Sequence, residues 1–271
     1  MGLVYVFIPE HKLRPNLLKI TKTYLEANSI SFIELTRPFL KDFIPQNYYV
    51  SVPLVYINCS NFLKYLSLNK NLVIGDFIQI KKALKIAKKV HYGNKRRNGD
   101  NYFNGHILPV ALQLFLEKAL KGKKVKSDLL LTGILHDVLE DGNKKKALKA
   151  LKSNFSSSIC QNILNLTKVS TKDIATLPQY RTMDFKKAKN IETKKYVQKV
   201  QSSSICIKVK CTDRLLNLFS DIENKERKNI FVKDYMLETK TFYYPMFKKM
   251  SGSCFYLLKL AFGILKDLVL V

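Results

Sequence analysis

His136 and Asp137 stand side by side, and Glu140 and Asp141 follow at the spacing of one helical turn. On a continuous α-helix, residues three and four apart share a face, which would put His136 beside Glu140 and Asp137 beside both later carboxylates. These groups close an apolar run of Leu129, Leu130, Leu131, Ile134 and Leu135, so the helix is expected to be largely buried. Burying that many ionisable groups is costly unless a cation compensates them, and a divalent metal ion fits that need. Such a site would lower the pKa of a bound water. The plainer reading is two ordinary residues at the polar end of a core helix. A metal needs more ligands than this pair, and the chain has only four histidines, at 11, 91, 106 and 136.

Four further stretches carry residues with chemistry. His91-Tyr92-Gly93-Asn94-Lys95-Arg96-Arg97-Asn98-Gly99-Asp100 precedes the segment from Tyr102 to His106. Lys210 to Asn217 contains Asp213-Arg214, and Leu237 to Pro245 closes the series. Together with Leu135 to Asp141, and in this order, they resemble the metal-dependent HD hydrolase domain of the RelA/SpoT family, including its small stand-alone members. The match runs over roughly residues 78 to 250. Three departures stand out: one extra residue, Gly105, lies between Tyr102 and His106; Arg97 and Asp100 replace a Lys and a Glu; and Gly142 replaces a Thr.

The resemblance implies a metal held by His106, His136, Asp137 and Asp213. Ligand hardness favours Mn²⁺ and leaves Fe, Zn and Mg open. Glu140 and Asp141 would handle protons, Arg96 and Arg97 would stack on or flank a guanine, Tyr102 would wall the pocket, and Asn217 would bond the ribose or a phosphate. His91 is read as structural. The activity implied is removal of the 3′-pyrophosphate of guanosine tetra- or pentaphosphate, giving GDP or GTP and pyrophosphate. The alternatives are an NADPH 2′-phosphatase, another HD nucleotide phosphohydrolase, and a silent HD scaffold that binds nucleic acid or a protein partner.

Composition bounds these readings. At 271 residues with 46% hydrophobic and 11% aromatic content, the chain has ample apolar surface for a core. The formal charge of +26 implies attraction to anions such as nucleic acid, an acidic surface or a polyphosphate. Only seven of the 47 basic residues are Arg and the lysines are scattered, so most read as solvated surface and nucleic acid is not the preferred partner. Five dispersed cysteines without a Cys-x-x-Cys pair fit reduced thiols in the cytoplasm. Neither a secretory signal nor a membrane span is expected; Cys254 to Val271 reads as a docking helix.

The expected architecture is α+β and multidomain, with a small α/β thioredoxin-like domain over residues 1–76 followed by an all-α HD-domain helical bundle over 77–271. The front part rests on strands at Leu3–Ile8 and Ile30–Leu35, a helix at Pro15–Ala27, and Val52-Pro53, the proline cis, before a third strand. It resembles the glutaredoxin/thioredoxin fold without redox cysteines: Pro9 to Arg14 occupies their place, and His11 is a surface loop residue. Such a domain would serve binding or oligomerisation. Behind it, Ser127 is expected to cap the central helix, and Lys168–Lys199 to be a solvated loop with Lys172, Lys186 and Lys187 near phosphates.

Overall fold

The computed structural model describes residues 4–7, 32–35, 49–50, 57–67, 74–96, 99–119, 123–223, 230–249 and 253–269, with helical residues at 19, 22–23 and 26–27. Three short strands, β1 (Val4–Phe7), β2 (Phe32–Leu35) and β3 (Tyr49–Val50), form a parallel sheet in the order β2-β1-β3. Val4 lies opposite both Phe32 and Tyr49. Everything else regular is helical: α1 (Cys59–Ser67), α2 (Ile74–Val90), α3 (Leu108–Ala119), α4 (Ser127–Leu135), α5 (Val138–Asp141), α6 (Lys144–Asn154) and α7 (Ser157–Leu166) come first. They are followed by α8 (Thr171–Thr176), α9 (Phe185–Gln201), α10 (Ser204–Glu223), α11 (Ile230–Glu238), α12 (Tyr244–Lys248) and α13 (Ser253–Val269).

This corrects the expected α+β division. The described chain is essentially all-α, and the described residues at its front do not make a thioredoxin-like α/β domain. The described parts of the strands are four, four and two residues long, and every other element of the described chain is helical. The next element belongs to the helical body, since Ile57, Phe62 and Leu66 are buried in the same core as α2, α3 and α4. The first two strands lie within the expected Leu3–Ile8 and Ile30–Leu35; what the pattern did not show is that the segment from Ile57 on joins the helical core. Val52-Pro53 and His11 lie outside the described residues.

Two helices organise the core. Every residue of α4 from Leu129 to Leu135 is buried, and α10 buries Cys206, Val209, Cys211, Leu215, Leu218 and Phe219. Gly133 lets α4 approach α3 closely: a Cβ there would fall 2.6 Å from Leu114 Cδ1. That close approach brings the end of α4 near the turn that precedes α3. On the other side α13 packs against α10 through Leu257, Leu258, Ala261, Ile264 and Leu265, leaving Lys259 and Lys266 exposed.

Two local expectations change. The residue capping α4 is Lys126 with extended backbone and no side-chain cap, and Ser127 is already the first helical residue. The expected loop at 168–199 is largely helical. Asp184 accepts from the Lys187 N–H to start α9, and Ala188, Tyr196 and Val200 bury one stripe at i+4 multiples. Tyr196 Oη donates to the Leu166 carbonyl at 2.8 Å and ties that helix to α7. The many lysines between these positions masked the stripe.

Candidate metal centre

The helix carrying the His-Asp pair is not continuous. Regular α4 ends at Leu135, Asp137 takes φ −104° and ψ 1°, and α5 restarts at Val138. The break turns Asp137 toward His136. His136 Nδ1–H donates to the Gly133 carbonyl at 2.8 Å, which leaves Nε2 as the free lone pair facing the site. That atom lies 3.0 Å from Asp137 Oδ2 and 3.9 Å from Asp213 Oδ1.

His106 arrives from a different element. Residues Phe103–Ile107 form a π-helical turn in which the Leu108 N–H donates to the Phe103 carbonyl. Such a turn holds one more residue than an α-helical turn, so it absorbs the residue by which this segment exceeds the family's pattern. Tyr102 and His106 therefore both face the site, with ring centroids 5.0 Å apart. His106 Nε2 lies 3.1 Å from Asp213 Oδ1 and 3.6 Å from Asp137 Oδ2, and Tyr102 Oη donates to Asp137 Oδ2 at 2.6 Å.

His106, His136 and Asp137 offer ligand atoms all within 4.8 Å of one another, a set that can hold a divalent metal ion. Both Nε2 atoms are buried and neither makes a hydrogen bond. Buried polar nitrogens are normally paired, so two unpaired lone pairs beside two carboxylates fit a cation. Asp213 stands beside the three on α10, its Oδ1 accepting from Asn217 Nδ2 at 2.9 Å and its Oδ2 from Lys210 Nζ at 2.5 Å.

Charge in this pocket is strongly coupled. Burial alone would lower the His136 imidazole, but Asp137 and Asp213 raise it to about 9. Burial would raise both aspartates; His136 and His106 hold Asp137 well below the carboxylate range, and Lys210 with His106 does the same for Asp213. The carboxylates remain ionised and seek positive charge, which is the electrostatic requirement of a metal site.

The two later carboxylates diverge from this cluster. Glu140 is accessible, and its Oε1 accepts the Lys168 N–H at 2.7 Å. Its pKa is raised, by desolvation first and by the Asp137 charge second. Asp141 points to α2: its Oδ2 lies 3.1 Å from Nδ1 of fully buried His91. The face-sharing inferred from helical spacing thus fails at the kink, which rotates α5 away from α4.

Beyond Asp213 the polar chain continues outward, as Arg96 Nη2 donates to Asn217 Oδ1 at 3.1 Å. Arg96, Asn217, Lys189 and Tyr235 line a cleft of about 380 Å³. Arg96 sits in a tight loop with left-handed glycines at Gly93 (φ 79°) and Gly99 (φ 85°). Arg97 lies outside the described residues. Lys172, Lys186 and Lys187 are exposed on the helical segment before and within α9.

Several partners escaped sequence reasoning. Lys210, one helical turn before Asp213, could have been found from its i, i+3 spacing. His91 and Lys168 carry no local signal, since each meets its partner across 50 and 28 residues of chain.

No family model matches the chain. It is similar to the guanosine-3′,5′-bis(diphosphate) 3′-pyrophosphohydrolase of Borreliella burgdorferi, with 38% identity over 88 residues, 32% of this chain and 12% of that protein. It is also similar to the protein of the same name from Spiroplasma citri, with 30% identity over 140 residues, 52% of this chain and 16% of that one. The chain thus matches a small part of each relative's length. Among the described residues no helix is long and apolar enough to cross a membrane.

Proposed function

We propose that this chain is a metal-dependent hydrolase of the HD type that removes the 3′-pyrophosphate of guanosine tetra- or pentaphosphate. The observation that carries the reading is the pair of buried Nε2 atoms of His106 and His136, neither in a hydrogen bond, between Asp137 and Asp213, with Asn217 linking Asp213 to the cleft it lines with Arg96. The similarity to two proteins named as (p)ppGpp 3′-pyrophosphohydrolases supports the substrate class.

On this reading His106, His136, Asp137 and Asp213 hold the ion, with Mn²⁺ suited by the mixed imidazole and carboxylate donors. When bound, a divalent ion supplies Lewis acidity for water and for a phosphoryl oxygen. Water adds to the phosphorus attached to the ribose 3′ oxygen, and the bond to that oxygen breaks. Glu140, held by the Lys168 N–H and raised in pKa, exchanges protons with the water and the leaving oxygen; Asp141, oriented by His91, assists. Tyr102 holds Asp137 in place, while Arg96 flanks the base and Asn217 reaches the ribose or a phosphate. Because Ile57, Phe62 and Leu66 belong to the helical core, the hydrolase unit on this reading begins before Ile57, and the segment ahead of it is accessory.

The test is pyrophosphate release from ppGpp with and without Mn²⁺, run beside orthophosphate release from NADPH. Manganese-dependent pyrophosphate is the expected result. Orthophosphate from NADPH alone would move the assignment to a 2′-phosphatase, and silence on both with metal bound would sink the alarmone reading.

A further inference from the structure

Helix α11 has two working faces. Tyr235 and Glu238 border the cleft beside the metal centre, while Lys233, Met236 and Leu237 line a second groove of about 540 Å³ on the opposite side. The far wall of that groove is α13, which contributes Lys259, Phe262, Gly263 and Lys266, a single helical stripe at i, i+3, i+4 and i+7. Lys240 and Tyr244 complete it.

The chemistry of the lining is sharply divided. Its floor is apolar and aromatic: the Tyr244 ring meets Phe262 edge-on at 6.4 Å, Gly263 adds no side chain, and Leu237 is 59% exposed. Four lysines rim it, 233 and 240 on one wall and 259 and 266 on the other, and no acidic residue is among the lining residues. Each pair is seven residues apart, so along each wall the ammonium groups are separated by roughly 10 Å. Scattered surface lysines would not enclose an apolar floor on both sides. A polyphosphate would find no use for that floor.

We propose that the groove binds a single-chain amphipathic anion, an acyl chain ending in a carboxylate or comparably small anionic head. The chain would lie over Met236, Leu237, Tyr244 and Phe262, and the lysine pairs would receive the head. Its occupant would touch the helix that also walls the cleft, giving it a direct structural route to the metal centre.

The chain contains no tryptophan, so Phe262→Trp places one clean fluorescent reporter in the groove. Titration with monomeric decanoate should produce a saturable emission shift, and calorimetry on the unsubstituted chain should give the same affinity. The surface double variant Lys259→Glu/Lys266→Glu, with unchanged melting temperature, should bind about tenfold or more weakly, and 1-decanol should also bind weakly. Absence of saturation in both measurements, equal decanoate affinity in the double variant, or equal affinity for decanol would each overturn the proposal. Binding to phosphatidylglycerol vesicles without any response to monomeric decanoate would overturn it in favour of a membrane surface. None of these readouts depends on hydrolysis.

Discussion

Asp213 and Arg214 are consecutive on α10 and both fully or nearly fully buried, yet their surroundings are built on opposite plans. Arg214 is enclosed: Nη1 donates to Thr239 Oγ1 at 2.6 Å, Nη2 pairs with the Glu238 carboxylate, and the guanidinium stacks on Tyr243 and Tyr235 at 3.7 and 4.4 Å. A second π-helical turn, Thr239–Tyr243, wraps it as the first one presents His106. Around Asp213 the protein also supplies partners, but there the two imidazole Nε2 atoms face carboxylate oxygens at 3.0 and 3.1 Å without closing a hydrogen bond. Buried charge alone therefore does not mark a ligand site. Both clusters leave buried polar atoms without a hydrogen bond, Arg214 Nε and Tyr243 Oη in one and the two Nε2 atoms in the other. What separates them is that only the second gathers imidazole nitrogens and carboxylate oxygens, the donor types that bind a metal.

Substitutions should divide along that line. The largest effect is expected for Asp213→Ala, which should abolish metal binding and lower turnover by more than about 10³-fold, beyond the ~10–100-fold typical of groups behind the ligands. Metal retained at full stoichiometry, measured by elemental analysis, would remove Asp213 from the ligand set. Glu140→Ala should spare the metal and reduce turnover by roughly 10²–10⁴-fold, the range for a general acid or base; loss of metal in this variant would make it a ligand instead.

On the closed side, Glu238→Gln should leave metal stoichiometry intact in the folded protein and destabilise it by about 3 kcal/mol, because Arg214 loses its buried counter-charge. The same pair sets an acid limb. Burial raises Glu238, but Lys168 and Arg214 bring it down to about 2 from the ordinary 4.5. A depressed carboxylate stabilises the fold fully above its unfolded pKa, and that contribution fades as pH falls from about 4.5 through about 2. Chemical denaturation across this window should show a shallower decline in Glu238→Gln than in the parent; equal slopes would contradict the assignment. The smallest effect is expected for Tyr102→Phe, which removes the hydroxyl holding Asp137 and should weaken metal affinity about tenfold. An unchanged affinity would mean that the kink alone holds Asp137.

Much of the site could be read from residue types and order. His136 and Asp137, their apolar lead-in, and the stretches around His106 and Asp213 carry the chemistry in their composition, and the structure brings the four side chains together from three separate parts of the chain. The sequence could not show that α4 breaks at the pair, because its residues continue a helical pattern across Asp137, whose backbone leaves the helix at φ −104° and ψ 1°. Nor could it resolve Gly105, which reads as a register error until a π-helical turn accommodates it. The front of the chain differs from expectation for another reason: its short apolar runs do form strands, but Phe62 and Leu66, inside the expected α/β domain, pack in the helical core.

The amino-acid sequence by itself determined which groups were available: imidazoles, carboxylates and one arginine-bearing loop, with apolar periodicity enough to make most of the chain helical. Tertiary structure alone decided which of those groups face one another. His91 went to Asp141, Glu140 to the Lys168 N–H, and Asp213 to His106. Helical spacing governs neighbours within one turn, whereas these pairings depend on how close α3, α4 and α10 approach, and that is set by packing between residues far apart in the chain.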